Sequence, residues 1–139
     1  MNESAIPRSR LRLRNFSSAM DGLREAIELR AQRPLSELEK AGMVQRFELA
    51  WELGWKLLSD LLTEDLAPPE ALTPGSTIRA AFAAGLIADA DEWMAMGKLR
   101  NQLSHTYNRA MRDEGLVLIE VRFAACLAAL EQDGHRRGA

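Results

Sequence analysis

Apolar residues recur at helical spacing in one segment after another, and this periodicity constrains the fold most strongly. Phe16, Met20, Leu23 and Ile27 follow each other at intervals of four, three and four residues, which places them on one helix face. Leu, Ala, Glu, Arg and Met are plentiful while β-branched residues are scarce, a mixture that favours helices. There is no convincing period-2 strand and no Asn-Gly or Asp-Gly hairpin between alternating apolar residues. The sequence therefore predicts an all-α protein.

Start and stop signals divide the chain into five predicted helices. Ser36 and Glu39 form a capping box at the start of the second, and Asp89 is a cap for the fourth. Asn108 either breaks the fourth helix or caps the fifth, and the tail after Gln132 is expected to fray. Helices are predicted over about 9–31, 36–64, 75–84, 89–107 and 109–132, with a loop over 66–74 and Gly85 ending the third. Such helices fit an up-and-down bundle of four to five members.

Length and composition favour a single domain over residues 1–139, with a core of about 9–132 and flexible termini. No apolar run approaches the roughly 20 residues of a membrane span, and the N-terminus lacks the apolar region of a signal peptide. We therefore expect a cytoplasmic protein. The lone Cys126 excludes an internal disulfide and a Cys/His metal cluster, and no metal or other cofactor is predicted. A net charge of −2 argues against a DNA-coating protein but leaves room for a local phosphate site.

The fourth predicted helix has an unusual polar face. On a helical wheel its core stripe comprises Trp93, Met96, Leu99, Leu103 and Tyr107. A continuous polar arc beside this stripe comprises Arg100, Ser104, Asn108, Asn101 and His105. The arc contains no carboxylate, and it pairs a guanidinium with an imidazole, two groups suited to phosphate chemistry. A solvated helix face without a function is the alternative interpretation.

Arg100 and His105 lie about 140° apart around a regular helix, so they cannot meet side by side within one chain. A second copy across a two-fold axis would bring one arginine and one histidine into a shared cleft. The wheel geometry therefore predicts a homodimer.

Two segments resemble a known family. Residues 100–107, RNQLSHTY, match the R-x4-H-x-Y motif of HEPN domains. Residues 44–56, VQRFELAWELGWK, resemble the QRFE-x3-E-x2-W-K segment of nucleotidyltransferase substrate-binding proteins, to which HepT-type toxins are related. The resemblance extends over roughly residues 16–130. R-x4-H alone is a weak pattern, but the two segments together, in this order, are fairly specific.

The resemblance implies a HEPN-like helical bundle that forms a homodimer and is paired with a nucleotidyltransferase of the MNT type. In the toxin branch the HEPN protein is a metal-independent ribonuclease, and the MNT antitoxin adenylylates the motif tyrosine. Carried over to this chain, Arg100 and His105 become the catalytic candidates and Tyr107 becomes the AMP acceptor. The alternative function is a non-catalytic substrate-binding or partner subunit of a nucleotidyltransferase. As a purely structural residue, Tyr107 would close the helix at the edge of the core.

Other polar residues are candidates for supporting roles. Asn101 and Ser104 are placed to orient the phosphate or the imidazole. Glu48 and Glu52 lie one turn apart on the second helix, where one of them would hold the motif arginine or orient the motif histidine. A solvated or salt-bridged acidic pair is the alternative.

The sequence leaves the roles of several further residues open. Trp51 and Trp55 are interpreted as core or dimer-interface residues. Four arginines alternate near the N-terminus. On a helix they divide into two pairs on opposite faces, whereas on an extended segment they would line one side and could touch RNA or the partner. These arginines are Arg8, Arg10, Arg12 and Arg14.

Overall fold

The structure, a computed structural model, describes residues 6–65, 67–105 and 107–138. Within these ranges every regular element is helical, so the predicted all-α fold is confirmed. A π-helical turn, Ile119–Phe123, joins the last two α-helices into one uninterrupted helix, which corresponds to the fifth predicted helix. The α-helices are α1 (Arg8–Gln32), α2 (Glu37–Glu64), α3 (Pro74–Ala83), α4 (Ala90–His105), α5 (Arg109–Leu118) and α6 (Ala124–Gly138).

Side-chain caps set the helix starts that the sequence predicts. The Ser36 hydroxyl accepts from the Glu39 N–H at 3.1 Å, and the Glu39 carboxylate accepts from the Ser36 N–H at 2.9 Å. Asp89 accepts from the Glu92 N–H at 3.0 Å before α4. Gly85 follows α3 with a φ of 77°, a conformation that glycine adopts without strain. These caps satisfy N–H groups that a helix leaves unpaired in its first turn.

Helices α1 and α2 pack along each other and form the centre of the core. Gly54 on α2 allows close approach, because a Cβ there would stand 3.0 Å from Trp93 and 3.3 Å from Phe16. Phe47 stacks on Phe123 of the π-helical turn, with ring centroids 6.0 Å apart. The core therefore joins α1, α2, α4 and the last helix around buried aromatic side chains.

The last helix extends beyond the end that the sequence predicts, and its C-terminal part packs on α1. Helix α6 continues to Gly138, six residues past Gln132. The Arg10 guanidinium donates to the Gly138 carbonyl at 2.7 Å, and the Ser17 hydroxyl lies 2.9 Å from the His135 imidazole. The spacing of apolar residues predicts the last helix up to about Gln132. It cannot predict the helix beyond that point, because the residues there contact α1 through polar groups.

The capping box provides a pH-dependent prediction. The hydrogen bond from Arg33, followed by that from the Ser36 N–H, lowers the pKa of Glu39 from its usual 4.5 to about 2. Since the pKa is depressed in the folded state, this stabilisation is complete above about pH 4.5 and is lost as the pH falls toward 2. We expect Glu39→Gln to unfold with a weaker pH dependence than wild type across that interval, as measured by urea midpoints. Equal pH dependence of both proteins would contradict this.

Candidate functional site

Helix α4 presents the two faces that its sequence predicts, except at its C-terminal end. Trp93, Met96 and Leu99 are buried. On the polar arc, Arg100 is half-buried at the edge of the core, whereas Asn101, Ser104 and His105 are exposed. The core side chains thus fix the rotation of α4 and leave its polar arc free to contact a ligand.

Helix α2 supplies the surface beside this arc. The Ser104 hydroxyl donates to the Glu48 carboxylate at 2.5 Å. This hydrogen bond joins α2 to α4, which carries the R-x4-H-x-Y motif and is called the motif helix below. Glu52 accepts from the Trp55 indole N–H at 3.2 Å and pairs with the Lys56 ammonium at 3.2 Å. Among the described residues neither carboxylate is paired with the motif arginine or histidine. The direct contact predicted for these acids is therefore absent within one chain, and Glu48 instead fixes the motif serine.

Arg100 lines a groove of about 530 Å³ between α2, α4 and the start of α3. Asn101 and Lys98 line the same groove, together with Trp51 and Trp55. The Nε atom of Arg100 is buried without a hydrogen-bond partner, and no described carboxylate forms an ion pair with its guanidinium. A guanidinium with spare donors at the wall of a groove is suited to an anion such as a phosphate.

His105 is the last residue of α4 and is exposed. It does not line the groove that Arg100 lines. The regular helix between the two residues keeps the roughly 140° separation that the sequence indicates. Within one chain, a phosphate held by Arg100 would not be next to this imidazole.

Tyr107 is not part of the core, contrary to its position on the predicted stripe. Helix α4 ends at His105, and the tyrosine side chain is 79% exposed on the connection to α5. The Arg109 guanidinium donates to its hydroxyl at 3.4 Å, and this contact raises the pKa of Arg109 further above its usual value. Asn108 caps α5 by accepting from the Met111 N–H at 3.0 Å, so it both follows the break and starts the next helix. The phenol is therefore exposed to solvent.

Three features of the site were missed in the sequence. Lys98 shares the groove of Arg100, and Arg109 contacts the tyrosine hydroxyl. The third is Gly97, where a Cβ would stand only 2.8 Å from the Trp51 ring at the crossing of α4 and α2. The glycine in the middle of α4 was a readable signal, since such a residue costs helix stability and usually has a packing reason.

This crossing predicts opposite effects for two glycines. Gly97→Ala forces Trp51 to shift, and overpacking of this kind costs about 1–3 kcal/mol, partly offset by a gain of about 1 kcal/mol in helix propensity. Gly42→Ala on α2 meets nothing within 4 Å, so only the gain applies. We expect urea denaturation to show a destabilised Gly97 variant and a stabilised Gly42 variant. A change of the same sign in both would contradict the crossing.

Metal-ligating and reactive residues are sparse in the parts of the chain that the structure describes. No group of three His, Cys, Asp or Glu side chains there is placed to hold a metal ion. Burial raises the pKa of the Cys126 thiol to about 11, so the thiol is protonated at neutral pH. None of the helices in these ranges is long and apolar enough to cross a membrane.

The chain is similar in sequence to a protein that is described as a probable ribonuclease. A Haemophilus influenzae protein, probable ribonuclease HepT, is 33% identical to this chain over 72 residues. The match covers 50% of this chain and 49% of that protein, so it extends over about half the length of each. The similarity is therefore to part of that relative.

Two solved structures share the fold over nearly all of the chain. A Thermus thermophilus protein has a TM-score of 0.69 and 28% identity, over 88% of this chain and 97% of its own. A Haemophilus influenzae structure has a TM-score of 0.73 and 24% identity, over 88% of this chain and 98% of its own. It is described as revealing the fold of a substrate binding domain of a nucleotidyltransferase.

The family match agrees with both the fold and the motif helices. Residues 11–134 match the family described as nucleotidyltransferase substrate binding protein like. This range contains α2, with its QRFE segment, and α4, with the R-x4-H-x-Y motif. The chain belongs to this HEPN-like family of nucleotidyltransferase substrate-binding proteins.

Proposed function

We propose that this protein is a HEPN ribonuclease toxin of a toxin–antitoxin pair, which cleaves RNA without a metal ion. The observation that carries the proposal is the motif helix, which offers Arg100 at a groove without a described carboxylate partner and an exposed His105 five residues later. The similarity to probable ribonuclease HepT supports the same function. RNA cleavage by the purified protein in the presence of EDTA is the direct test.

The chemistry uses a nucleophile that RNA itself carries. The 2′-hydroxyl attacks the adjacent phosphorus, the bond to the 5′-oxygen breaks, and a 2′,3′-cyclic phosphate and a 5′-hydroxyl are formed. His105 takes the proton of the attacking hydroxyl or gives one to the leaving oxygen. Arg100 binds the phosphate and stabilises the charge that develops on it. Asn101 and Ser104 orient these groups, and Glu48 holds Ser104 in place.

The proposed site is shared between two protomers. Arg100 and His105 lie about 140° apart on one helix, so a phosphate held by one protomer's arginine needs the other protomer's histidine. The homodimer predicted from the sequence is therefore part of the proposed mechanism.

Mixing two inactive variants tests this arrangement. A heterodimer of Arg100→Ala and His105→Ala protomers has one site with both groups mutated and one with both intact. Random exchange of subunits should therefore restore about a quarter of wild-type cleavage, whereas each variant alone is inactive. No recovery in a mixture shown to contain heterodimers would contradict a composite site, and a monomer on sizing would contradict the dimer.

The proposed antitoxin is an MNT-type nucleotidyltransferase that transfers AMP to Tyr107. Exposure of 79% on a connection outside the helix supports this choice of acceptor. The phenol oxygen attacks the α-phosphorus of ATP, pyrophosphate leaves, and the phenolic proton is released to solvent. The product carries an added phosphodiester charge next to the motif helix.

A non-catalytic partner subunit is the second candidate function. The family to which the chain belongs and the similar Haemophilus influenzae protein are both described as binding the substrate of a nucleotidyltransferase, which supports this candidate. An adjacent MNT gene would fit both candidates. Growth arrest on expression without that neighbour, lost in His105→Ala, selects the toxin; normal growth with no cleavage of any RNA selects the subunit.

A further inference from the structure

A second groove adjoins the one that Arg100 lines. It has a volume of about 550 Å³ and lies between the start of α1 and the C-terminal half of α2. Trp55 lines both grooves, so they meet at this residue. Together they follow α2 from Trp51 to Glu64, a distance of about 20 Å at 1.5 Å per residue. We refer to the two grooves together as the α2 path.

Positive charge exceeds negative charge along this path, although the whole chain has a net charge of −2. Its walls carry five cations, Arg8, Arg12, Lys56, Lys98 and Arg100, and three carboxylates, Glu52, Asp60 and Glu64.

Ion pairs account for only part of this charge. Asp60 pairs with Arg12 at 3.0 Å, and Glu52 pairs with Lys56 at 3.2 Å. Glu64 accepts from the Ser9 hydroxyl at 2.6 Å and forms no ion pair with a described residue. Arg8, Lys98 and Arg100 likewise have no carboxylate partner among the described residues. Arg8 lines the second groove together with Glu64, whereas Lys98 and Arg100 line the first.

Apolar side chains line both grooves beside these charged groups. Leu72 lines the second groove and is 77% exposed, a high value for a leucine. Pro74, Ile78 and Met94 line the first groove. Unpaired cations in grooves that also carry apolar side chains match the phosphates and flat bases of a single-stranded nucleic acid.

The fold also explains the alternating arginines at the N-terminus. Helix α1 begins at Arg8, so the four arginines divide into the two opposite pairs that a helix predicts. Arg8 and Arg12 line the α2 path, whereas Arg10 and Arg14 line a different groove against α6. The two faces of α1 therefore provide a charge-matched comparison within one helix.

We propose that the α2 path binds the single-stranded RNA that flanks the scissile phosphate, with Lys98 and Arg8 contacting successive parts of its backbone. Only the position of the scissile phosphate at Arg100 rests on the proposed ribonuclease function. The contacts are to phosphates and base faces, so the path selects strand form and length rather than sequence.

Salt-dependent RNA binding tests this proposal. The full chain with His105→Ala binds a labelled single-stranded RNA without cleaving it, and fluorescence anisotropy is recorded from low to high NaCl. Adding Arg8→Gln or Lys98→Gln should weaken binding several-fold at low salt and reduce the slope of log K against log salt by about 0.7 for each lost phosphate contact. Arg14→Gln, on the opposite face of α1, should change neither quantity.

Each result has a defined meaning. An equal loss of RNA affinity in all three variants, or no loss of affinity in Arg8→Gln and Lys98→Gln, overturns the proposed path. Weaker binding of the MNT nucleotidyltransferase with unchanged RNA binding also overturns it and assigns this surface to the protein partner. Path-dependent RNA binding by a wild-type protein that cleaves no RNA would refute the ribonuclease while supporting the path. RNA cleavage by a protein whose RNA binding does not depend on Arg8 or Lys98 would support the ribonuclease and refute the path.

Discussion

Replacing His105 by alanine is expected to reduce RNA cleavage about 100- to 10,000-fold, which is the usual effect of removing a general acid or base. Replacing Arg100 by alanine is expected to cost about 100- to 1,000-fold, as for the loss of one preorganised donor to a developing charge. The fold should survive both changes. His105 is exposed, and among the described residues Arg100 has no ion-pair partner that its removal would leave buried and unpaired.

Gln102→Ala is the matched control, since Gln102 is exposed on the same helix outside the polar arc. Cleavage of a labelled single-stranded RNA in EDTA should be unchanged for this variant, and circular dichroism should show the same helix content in all three. Full activity of the His105 or Arg100 variant would refute the catalytic assignment. An absolute requirement for a divalent ion would refute the metal-independent mechanism.

Most of the fold could be predicted from the sequence because local signals agreed with the packing. The Ser36 cap, the Asp89 cap and the Gly85 turn all act within a few residues, where sequence patterns are informative. The π-helical turn at Ile119–Phe123 was not predicted, because the buried residues Leu116, Ile119, Phe123 and Leu127 follow each other at intervals of three and four, as in an ordinary α-helix. The helical tail was missed because contacts with α1, over a hundred residues away, hold it.

The candidate site could be predicted less completely, since it depends on how α2 and α4 cross. The wheel placed Arg100, Asn101, Ser104 and His105 on one arc, and the structure keeps them outside the core. It did not show that Ser104 would bind Glu48, because that contact joins residues 56 positions apart. The position of Tyr107 was wrong for a local reason: the helix ends two residues earlier, so the wheel no longer applied.

Coexpression with the proposed MNT nucleotidyltransferase is expected to place AMP on Tyr107 and to abolish RNA cleavage. Tyr107 is the only tyrosine in the chain, so a tyrosine-linked AMP found by mass spectrometry has one assignment. Two residues of chain span at most about 7 Å, which puts the modified residue within about one Debye length, 8 Å, of His105. The added charge of about −1 therefore repels the RNA backbone near the imidazole with only partial screening, and the adenosine adds bulk there.

Tyr107→Phe separates covalent silencing from simple occlusion by the partner. The side chain is 79% exposed, so removing its hydroxyl should leave the fold intact, with only the contact to Arg109 lost. The variant alone should cleave RNA at the wild-type rate, because the phenol has no role in the proposed chemistry. With the nucleotidyltransferase present, wild type should be adenylylated and inactive, whereas the variant should stay unmodified and active. Silencing of the variant by a partner that binds it as tightly as wild type would mean that occlusion is sufficient, and AMP transfer to Tyr107 would then not be the mechanism of control.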